Sequence, residues 1–301
     1  MEYIIAMDVG GTTITSGVFS KNLRLVTPAI TIPAMANDSA ETVVSALISS
    51  AVKVWTQISD SEKTLLGIGI AFPGPFDYEN GISLIQNQDK FQSIYKLPLG
   101  ELLTDRLRKD MPEYLSPGFK IAFENDAAAY GAGAYASLKE SPKRLMAVTI
   151  GTGCGSAFMQ DGKAVMGELG IPEDGGIYHL PFDGKTIDDI ISKRGIMSIA
   201  KETLQFVPES VKQIADLANQ GDASCLEVFE KFGILLKTAL APFIESFQPD
   251  ALVFGGNISK ASELFLKPLK ELTTGKACIH IMSDEEHTAL LGGAFIIGHG
   301  S

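Results

Sequence analysis

The chain has 301 residues, of which 45% are hydrophobic and 20% are charged, a composition that excludes a disordered protein. Its 25 Lys and Arg residues against 36 Asp and Glu residues give a formal net charge of -11. Because no run of basic residues supplies a patch for phosphates, a nucleic-acid-binding surface is also excluded. The length suits two domains.

The cysteines and the hydropathy pattern place the chain in a reducing compartment. Cys154, Cys225 and Cys278 are widely spaced and form no Cys-x-x-Cys pair, so we expect free thiols and no cysteine metal site. No apolar run reaches the roughly 18 residues of a membrane span. The chain starts directly with an apolar strand pattern at residues 3–9 and shows no signal-peptide pattern. We therefore expect a cytoplasmic protein that does not bind membranes.

Two stretches, residues 4–19 and 146–159, share one layout of apolar strand, glycine-rich turn and second strand. A repeated unit at the head of each half predicts two similar α/β domains facing each other across a cleft. We expect an N-terminal domain over residues 1–124 and a C-terminal domain over residues 125–287. The closing helix, about residues 288–301, is a candidate to pack back on the first domain.

The remaining predicted elements alternate between strands and helices, which is typical of an α/β architecture. The predicted strands cover residues 66–72, 120–123 and 251–254. The predicted helices begin after the capping pattern Asp38-x-x-Glu41 and, further along, cover residues 127–136, 223–247 and 288–297. Asp161-Gly162 predicts a tight hairpin after the second repeat.

The first glycine turn, residues 8–13, reads Asp8-Val-Gly-Gly-Thr-Thr13. Glycines let backbone N–H groups approach a phosphate closely, and threonines add hydroxyl donors. A carboxylate at the strand end can hold a hydrated magnesium ion beside a nucleotide. The candidate ATP-binding residues are Asp8, Gly10, Gly11, Thr12 and Thr13, with Asp8 as the magnesium ligand through water. A plain hairpin with a solvated Asp is the alternative.

Two further glycine turns follow. The second, residues 151–155, repeats the phosphate-binding composition without an acid, and its candidate residues are Gly151, Thr152 and Gly153. The third, residues 254–259, places Gly255 and Gly256 after a strand, where an adenine and ribose could lie against backbone. Each turn alone could be purely structural. The matching places of the first two turns in the repeats favour phosphate binding.

Six motifs stand in one order along nearly the whole chain, and in this order the chain resembles the ROK family. The resemblance implies an actin-like ATPase (ribonuclease H-like) fold, and the family contains hexose and amino-sugar kinases together with transcriptional repressors. The motifs are Asp8-Val-Gly-Gly-Thr-Thr13, Gly67-Ile-Gly-Ile-Ala-Phe-Pro-Gly-Pro75, Glu124-Asn-Asp126, Thr149-Ile-Gly-Thr-Gly153, Gly167-Glu-Leu-Gly170 and Phe254-Gly-Gly-Asn-Ile-Ser259.

The resemblance implies an acceptor-sugar site. In it Asn125 and Asp126 bind the sugar with Asp126 as the base, and Glu168, Asp188 and Gly74 make further sugar contacts. A carboxylate can take the proton of a sugar hydroxyl as it attacks the terminal phosphoryl group. Asp126 also suits the N-cap of the following helix, and both roles can hold at once. We expect a homodimer that binds a small-molecule sugar, ATP and Mg²⁺.

The sequence departs from the family pattern where many relatives bind zinc. Ile171 stands where they have His, and no cysteine lies between Cys154 and Cys225. His179 is the histidine nearest this segment, and a lone His is a poor basis for a closed zinc site. We expect no structural zinc. Four apolar residues are predicted to pack inward in its place: Ile171, Ile177, Tyr178 and Leu180.

A second departure concerns the phosphate contacts. The family often has Lys where Thr13 stands, so these contacts are expected to differ in detail. Residues 87–95 match the family poorly, and within them Asn87 and Lys90 are candidates to border the sugar.

Three alternatives concern function. A repressor is not expected, because only seven residues precede Asp8. A non-catalytic sugar-binding relative and a kinase of another actin-like class stay open. The sugar could be glucose, another hexose, a β-glucoside or N-acetylmannosamine.

Overall fold

The computed structural model describes residues 1–282 and 285–299, without the side chains of residues 285–287. The chain forms two compact units: Met1–Ser137 together with the C-terminal helix from Glu286 onward, and Leu138–Glu285. The last two residues of the predicted closing helix lie outside the described residues. None of the helices in the described part of the chain combines the length and hydropathy that a bilayer span requires.

The first unit is built on these strands: β1 (Glu2–Val9), β2 (Thr13–Ser20), β3 (Ile30–Pro33), β4 (Thr64–Ala71), β5 (Phe76–Asp77), β6 (Ile82–Ser83) and β7 (Leu115–Glu124). Its helices before the unit boundary are α1 (Ala40–Trp55), α2 (Leu99–Asp110) and α3 (Asp126–Ser137), with 3₁₀ turns at Gln92–Ile94 and Pro112–Tyr114.

The second unit has strands β8 (Arg144–Ile150), β9 (Cys154–Gln160), β10 (Lys163–Ala164), β11 (Pro181–Phe182), β12 (Lys185–Thr186), β13 (Ala251–Gly255) and β14 (Cys278–Ile281). Its helices are α4 (Ile187–Ile190), α5 (Lys193–Thr203), α6 (Val211–Asn219), α7 (Ala223–Phe247) and α8 (Lys267–Thr273), with a 3₁₀ stretch at Asn257–Leu264. The final helix, α9 (Glu285–His299), belongs to the first unit.

The two main sheets have the same topology. The first sheet has the order β3-β2-β1-β4-β7, and the second has the order β10-β9-β8-β13-β14. In each sheet the two strands of the repeat and the strand after them pair antiparallel, and the last two strands join on the other side in parallel. The predicted fold of two similar α/β domains is therefore confirmed.

Apolar residues hold the first sheet between helices. In the first unit, Val43, Leu47 and Val54 of α1 join the core on one face of the sheet. On the other face, Leu290 and Ala294 of α9 pack with Ile4 and Ala6 of β1. Because both faces are covered, β1 is almost continuously apolar, as expected for a strand with parallel neighbours. The second unit has one large core around the phenylalanines of α7.

Helices α3 and α9 pack with their backbones in close contact. A Cβ atom built on Gly133 would lie 1.8 Å from the carbonyl oxygen of Thr288, and one on Gly292 would lie 1.7 Å from that of Ala129. This packing explains why α3 belongs to the first unit. The sequence-based boundary at residues 124 and 125 placed α3 in the second domain, so the division in the structure differs from it by one helix.

Some predicted boundaries need correction. Helix α1 is capped by Ser39, whose Oγ accepts a hydrogen bond from Thr42 N, so the start predicted at Asp38 is wrong by one residue. Strand β7 begins at Leu115, ahead of the predicted residues 120–123. The hairpin at Asp161-Gly162 is confirmed, because both residues have positive φ, 50° and 79°, as a two-residue hairpin turn requires.

We predict that Gly292→Ala destabilises the protein by at least about 2 kcal/mol, because the methyl group can enter only if α3 and α9 move apart. Gly118→Ala is the matched control, because a Cβ atom at Gly118 meets nothing within 4 Å. Urea and thermal unfolding of both variants measure the difference. An unchanged unfolding midpoint for Gly292→Ala would contradict this packing.

Candidate active site

Three candidate segments leave the same edge of the first sheet. The parallel register pairs Asp8 of β1 with Ala71 of β4, and Ala71 with Glu124 of β7. The first glycine turn follows Asp8, and Asn125 follows Glu124 directly. Ligands of open α/β sheets bind beyond the carboxyl ends of the strands. The expected nucleotide and sugar residues of this unit therefore share an edge suited to ligand binding.

The first glycine turn is closed by backbone hydrogen bonds. Gly10 N donates to Thr13 O at 2.8 Å, and Ala34 N donates to Thr12 O at 2.9 Å. The residues at positions 10–13 are exposed, whereas Asp8 is half-buried at the strand end. An exposed backbone turn of this kind can accept phosphate oxygens.

The carboxylate of Asp8 stands beside this turn, where a hydrated magnesium ion is expected. In the part of the chain that the structure describes, no cluster of three His, Cys, Asp or Glu side chains is arranged to hold a metal. Mg²⁺ keeps several of its waters in nucleotide sites and needs only one or two carboxylates. The single carboxylate of Asp8 at the strand end therefore fits the expected ion.

Asn125 is held in one orientation by its neighbours. Its Oδ1 accepts hydrogen bonds from Ala127 N at 3.0 Å and Ala128 N at 3.4 Å, and its Nδ2 donates to the Tyr78 hydroxyl at 3.3 Å. The Tyr78 hydroxyl donates in turn to Phe72 O at 3.0 Å. A Cβ atom built on Gly74 would lie 3.2 Å from that hydroxyl. Tyr78 therefore brings the predicted residues Gly74 and Asn125 together.

Asp126 is the first residue of α3, and its side chain is exposed. Its Oδ1 accepts a hydrogen bond from Ala127 N at 2.8 Å. The N-cap role expected of Asp126 falls to Asn125, whose side chain reaches the next two N–H groups of the helix. The exposed carboxylate of Asp126 thus stands beside a rigid amide and can accept a proton from a bound hydroxyl.

Glu124 is a carboxyl group that the sequence analysis did not single out as a separate residue. Its Oε1 accepts a hydrogen bond from Asn125 N at 2.9 Å. Burial raises the pKa of Glu124, and the hydrogen bond from Asn125 opposes that rise only in part. Glu124 thus fixes the peptide that leads into α3.

Asp188 belongs to α4 and contacts the second glycine turn. Its Oδ1 accepts a hydrogen bond from Cys154 N at 2.6 Å, and its Oδ2 forms an ion pair with Arg194. A Cβ atom built on Gly153 would lie 2.7 Å from Asp188 Oδ1, so a larger residue there would displace the Asp188 carboxylate. The family resemblance implies a sugar contact for Asp188, but both of its carboxylate oxygens contact residues of its own unit.

The thiol of Cys154 in the second glycine turn is unreactive. Burial, together with the Asp188 carboxylate, raises the pKa of its thiol to about 12. The thiol therefore stays protonated at neutral pH and is a poor nucleophile. This agrees with a structural role for the residue.

The third glycine turn lies beside the second. Gly255 pairs with Thr149 in the sheet, and Gly256 has a φ of 87°. A Cβ atom on Gly256 would lie 2.1 Å from Ile150 O, which excludes any larger residue. Ser259 Oγ donates to Gly256 O at 2.7 Å and holds the bend. The candidate residues of the two turns thus share one edge of the second sheet.

Glu168 is an exposed residue in a tight turn of the second unit. Ile171 N donates to Glu168 O at 2.8 Å, and Gly167 N donates to Pro172 O at 2.9 Å. Gly167 and Gly170 both have positive φ, 70° and 79°, which favours glycine at these two positions.

The segment around Glu168 is anchored by apolar residues. Ile171 and Ile177 lie in the core of the second unit, and Leu180 packs partly against it. The prediction that Tyr178 packs inward is wrong. Tyr178 is 47% exposed, and its ring contacts His179 at a centroid distance of 4.9 Å instead of the core.

Tyr78 and Arg194 were not anticipated. Each contacts a predicted residue: Tyr78 contacts Asn125, 47 positions away in the chain, and Arg194 pairs with Asp188, six positions away. A tyrosine soon after the Pro73-Gly-Pro75 bend and an arginine at the start of a helix are too common to serve as signals.

The model of the ROK family matches residues 4–296. The chain belongs to the ROK family. The glucokinase of Thermotoga maritima is 27% identical over 290 residues, which cover 89% of this chain and 86% of that protein. The N-acetyl-D-glucosamine kinase of Aliivibrio fischeri is 25% identical and covers 88% of this chain and 87% of its own length.

A solved structure shares the fold of this ROK protein. The ROK family glucokinase from Streptomyces griseus, in complex with glucose and AMPPNP, has a TM-score of 0.68 and 21% identity. The match covers 97% of this chain and 98% of that chain. The actin-like fold implied by the sequence is therefore confirmed.

We predict that Glu124→Gln gains stability relative to wild type as the pH rises from acid values to pH 7. Because the folded-state pKa of Glu124 is raised, the wild type loses stability as pH rises from the unfolded value of about 4.3 through the folded value. Gln keeps an oxygen acceptor for Asn125 N and does not ionise. The stability difference from wild type should therefore grow between acid and neutral pH. Urea unfolding from pH 4 to 8 measures it.

Glu101→Gln, a change at an exposed carboxyl on α2, is the control for this experiment. A stability difference between Glu124→Gln and wild type that stays constant over the whole pH range would contradict the buried state of Glu124.

We predict that the purified protein contains no stoichiometric zinc, because the segment from Gly167 to Ser192 is anchored through Ile171 and Ile177. Elemental analysis measures the zinc content, and melting before and after prolonged EDTA treatment measures its structural role. One zinc per chain, with a lower melting temperature after its removal, would show that this segment has been misread.

Proposed function

We propose that this ROK protein is an ATP-dependent sugar kinase that transfers the terminal phosphoryl group of ATP to a sugar hydroxyl. The observation that carries the proposal is the exposed carboxylate of Asp126, which stands beside the rigid amide of Asn125 at the same sheet edge as the first glycine turn. The kinases among its relatives support the same reaction class.

In the proposed reaction, the acceptor sugar is bound by residues of the first unit and by Glu168. The Asn125 amide, held by Tyr78, orients a sugar hydroxyl, and Gly74 leaves room for the ring. Asp126 accepts the hydroxyl proton while the oxygen forms a bond to the terminal phosphorus, and the bond to the leaving oxygen of ADP breaks. Glu168 accepts hydrogen bonds from other hydroxyls of the sugar.

The nucleotide side belongs to the three glycine turns. Backbone N–H groups of Gly11 and Gly153 and the hydroxyls of Thr12, Thr13 and Thr152 bind phosphate oxygens. Gly10 and Gly151 close the two turns, since their own N–H groups donate to Thr13 O and Gly153 O. Gly255 and Gly256 leave a flat surface for adenosine. Asp8 would hold Mg²⁺ through water, and the bound ion would supply positive charge against the phosphates.

Asp188 has a different part in this proposal from the sugar contact that the resemblance implies. Its hydrogen bond from Cys154 N and its ion pair with Arg194 hold the second glycine turn in shape. Asp188 therefore supports nucleotide binding indirectly, by holding that turn in shape.

The proposed acceptors are hexoses and amino sugars, and the proposed setting is a cytoplasmic homodimer. An ADP-release assay across glucose, other hexoses, N-acetylated amino sugars and glycosides, with ATP and magnesium, identifies the substrate. Sedimentation of the purified protein measures the oligomeric state. No ADP release above the ATP-only rate with any of these sugars would overturn the proposed reaction.

We predict that Asp126→Asn lowers turnover by at least about 10²-fold and leaves sugar and nucleotide affinity largely unchanged. The amide keeps the size of the side chain but cannot take the hydroxyl proton. Steady-state kinetics measure turnover, and calorimetry with sugar and AMPPNP measures binding. Asp105→Asn, at an exposed position on α2, is the matched control. Turnover of Asp126→Asn near the wild-type rate would remove Asp126 as the base.

A further inference from the structure

Lys90 lies over the first glycine turn. A Cβ atom built on Gly11 would fall 2.9 Å from Lys90 Cδ, 3.8 Å from its Cβ and 3.9 Å from its Cγ. The aliphatic stem of Lys90 therefore rests on the open side of Gly11, where the absence of a side chain makes room for it. The turn and this lysine meet although they lie far apart in the sequence.

Residues 34–36 form backbone hydrogen bonds both with the first glycine turn and with the residue that follows Lys90. Ala34 N donates to Thr12 O at 2.9 Å, and Phe91 N donates to Ala36 O at 2.7 Å. The Phe91 side chain is completely buried and packs on Phe72 at a centroid distance of 5.0 Å. Lys90 is thus anchored by the residue next to it, and its position over Gly11 follows from the core.

The ammonium group of Lys90 is placed to act on a ligand. Lys90 is half-buried, and among the described residues no carboxylate forms an ion pair with it. The turn itself contributes the carboxylate of Asp8 and no cation, since position 13 is threonine. Three N–H donors on a positive group suit the anionic oxygens of a phosphate chain.

We propose that Lys90 binds the phosphate chain of the nucleotide at the first glycine turn and supplies the positive charge that the turn lacks. The inference rests on the proposed function, because it takes the ligand of this turn to be a nucleoside triphosphate. It assigns to the nucleotide a residue that the sequence analysis considered only for the sugar. The stem on Gly11 holds the ammonium group close to where the backbone N–H groups bind phosphate.

Calorimetric titration tests this proposal without depending on turnover. Magnesium AMPPNP and adenosine are titrated into wild type, Lys90→Met, Lys90→Arg and Lys96→Met. Lys90→Met should weaken AMPPNP binding by about 10-fold or more, the usual effect of losing a charge-assisted hydrogen bond. Lys90→Arg should lose less affinity, because it keeps the positive charge. Adenosine binding should not change in any variant, because adenosine carries no phosphate.

Lys96→Met is the matched control, because Lys96 is exposed in the same stretch of chain and its ammonium group lies 5.2 Å from the Tyr95 ring centroid. Melting curves show that each variant is folded, and Lys90→Gln replaces Lys90→Met if that variant does not fold. In the kinase assay the KM for ATP should rise for Lys90→Met, while the KM for sugar should stay at the wild-type value.

The outcomes separate this inference from the proposed function. If Lys90→Met binds AMPPNP as tightly as wild type, or loses sugar affinity alone, the inference fails and the kinase proposal stands. If wild type phosphorylates no sugar but its AMPPNP affinity depends on Lys90, the inference stands and the proposed reaction fails. If wild type binds no AMPPNP, both are overturned.

Discussion

The contact between the backbones of α3 and α9 is the constraint on which the candidate site depends. Glycine at positions 133 and 292 lets the two helices approach without side chains between them, and Gly293 brings α9 equally close to Gly69 of β4. The C-terminal helix thus joins the sheet to α3. Because α3 begins at Asp126, the axis of that helix determines where the carboxylate and the Asn125 amide stand. Residues at the end of the chain therefore set the position of the proposed base.

The charged groups near the two glycine turns of the repeat come from different parts of the chain. The first turn carries its own acid, Asp8, and receives a lysine stem from residue 90. The second turn has no acid, but Asp188 contacts it from α4 and is paired with Arg194. Each turn thus lies close to one carboxylate and one cation, although only Asp8 belongs to a turn itself. A phosphate chain that met the carboxylates alone would be repelled.

The sequence predicts the fold well where the pattern is local. The long apolar stripe of α7 predicts its bounds, and the repeat predicts the matching sheets. Strand β7 extends beyond its predicted residues 120–123 and includes Pro117 and Gly118. The strand lies at the edge of its sheet, where a missing N–H donor is tolerated, so it continues through both residues.

The site was less predictable than the fold, because its contacts depend on tertiary structure. The motif order singled out Asn125 and Asp126, but the hydrogen bond from Asn125 to Tyr78 and the contact of Lys90 with Gly11 join positions that share no spacing. Asn125 caps α3, although the cap was expected at Asp126. Either side chain could reach the first N–H groups of the helix, and only the backbone geometry decides between them.

The turn that carries Glu168 is held in place by a buried hydroxyl and by apolar side chains. Ser156 Oγ donates to Gly175 O and accepts from Ile177 N, so one buried hydroxyl ties the segment to β9. Burial of a side chain such as Ile171 or Ile177 contributes about 2 kcal/mol, far less than the roughly 10 kcal/mol of a structural zinc site. The segment is also joined to α4 by backbone hydrogen bonds, since Ile187 N donates to Leu180 O and Asp188 N donates to Tyr178 O. Replacing either isoleucine by a polar residue would therefore loosen the turn at Glu168 before it affected the sheets.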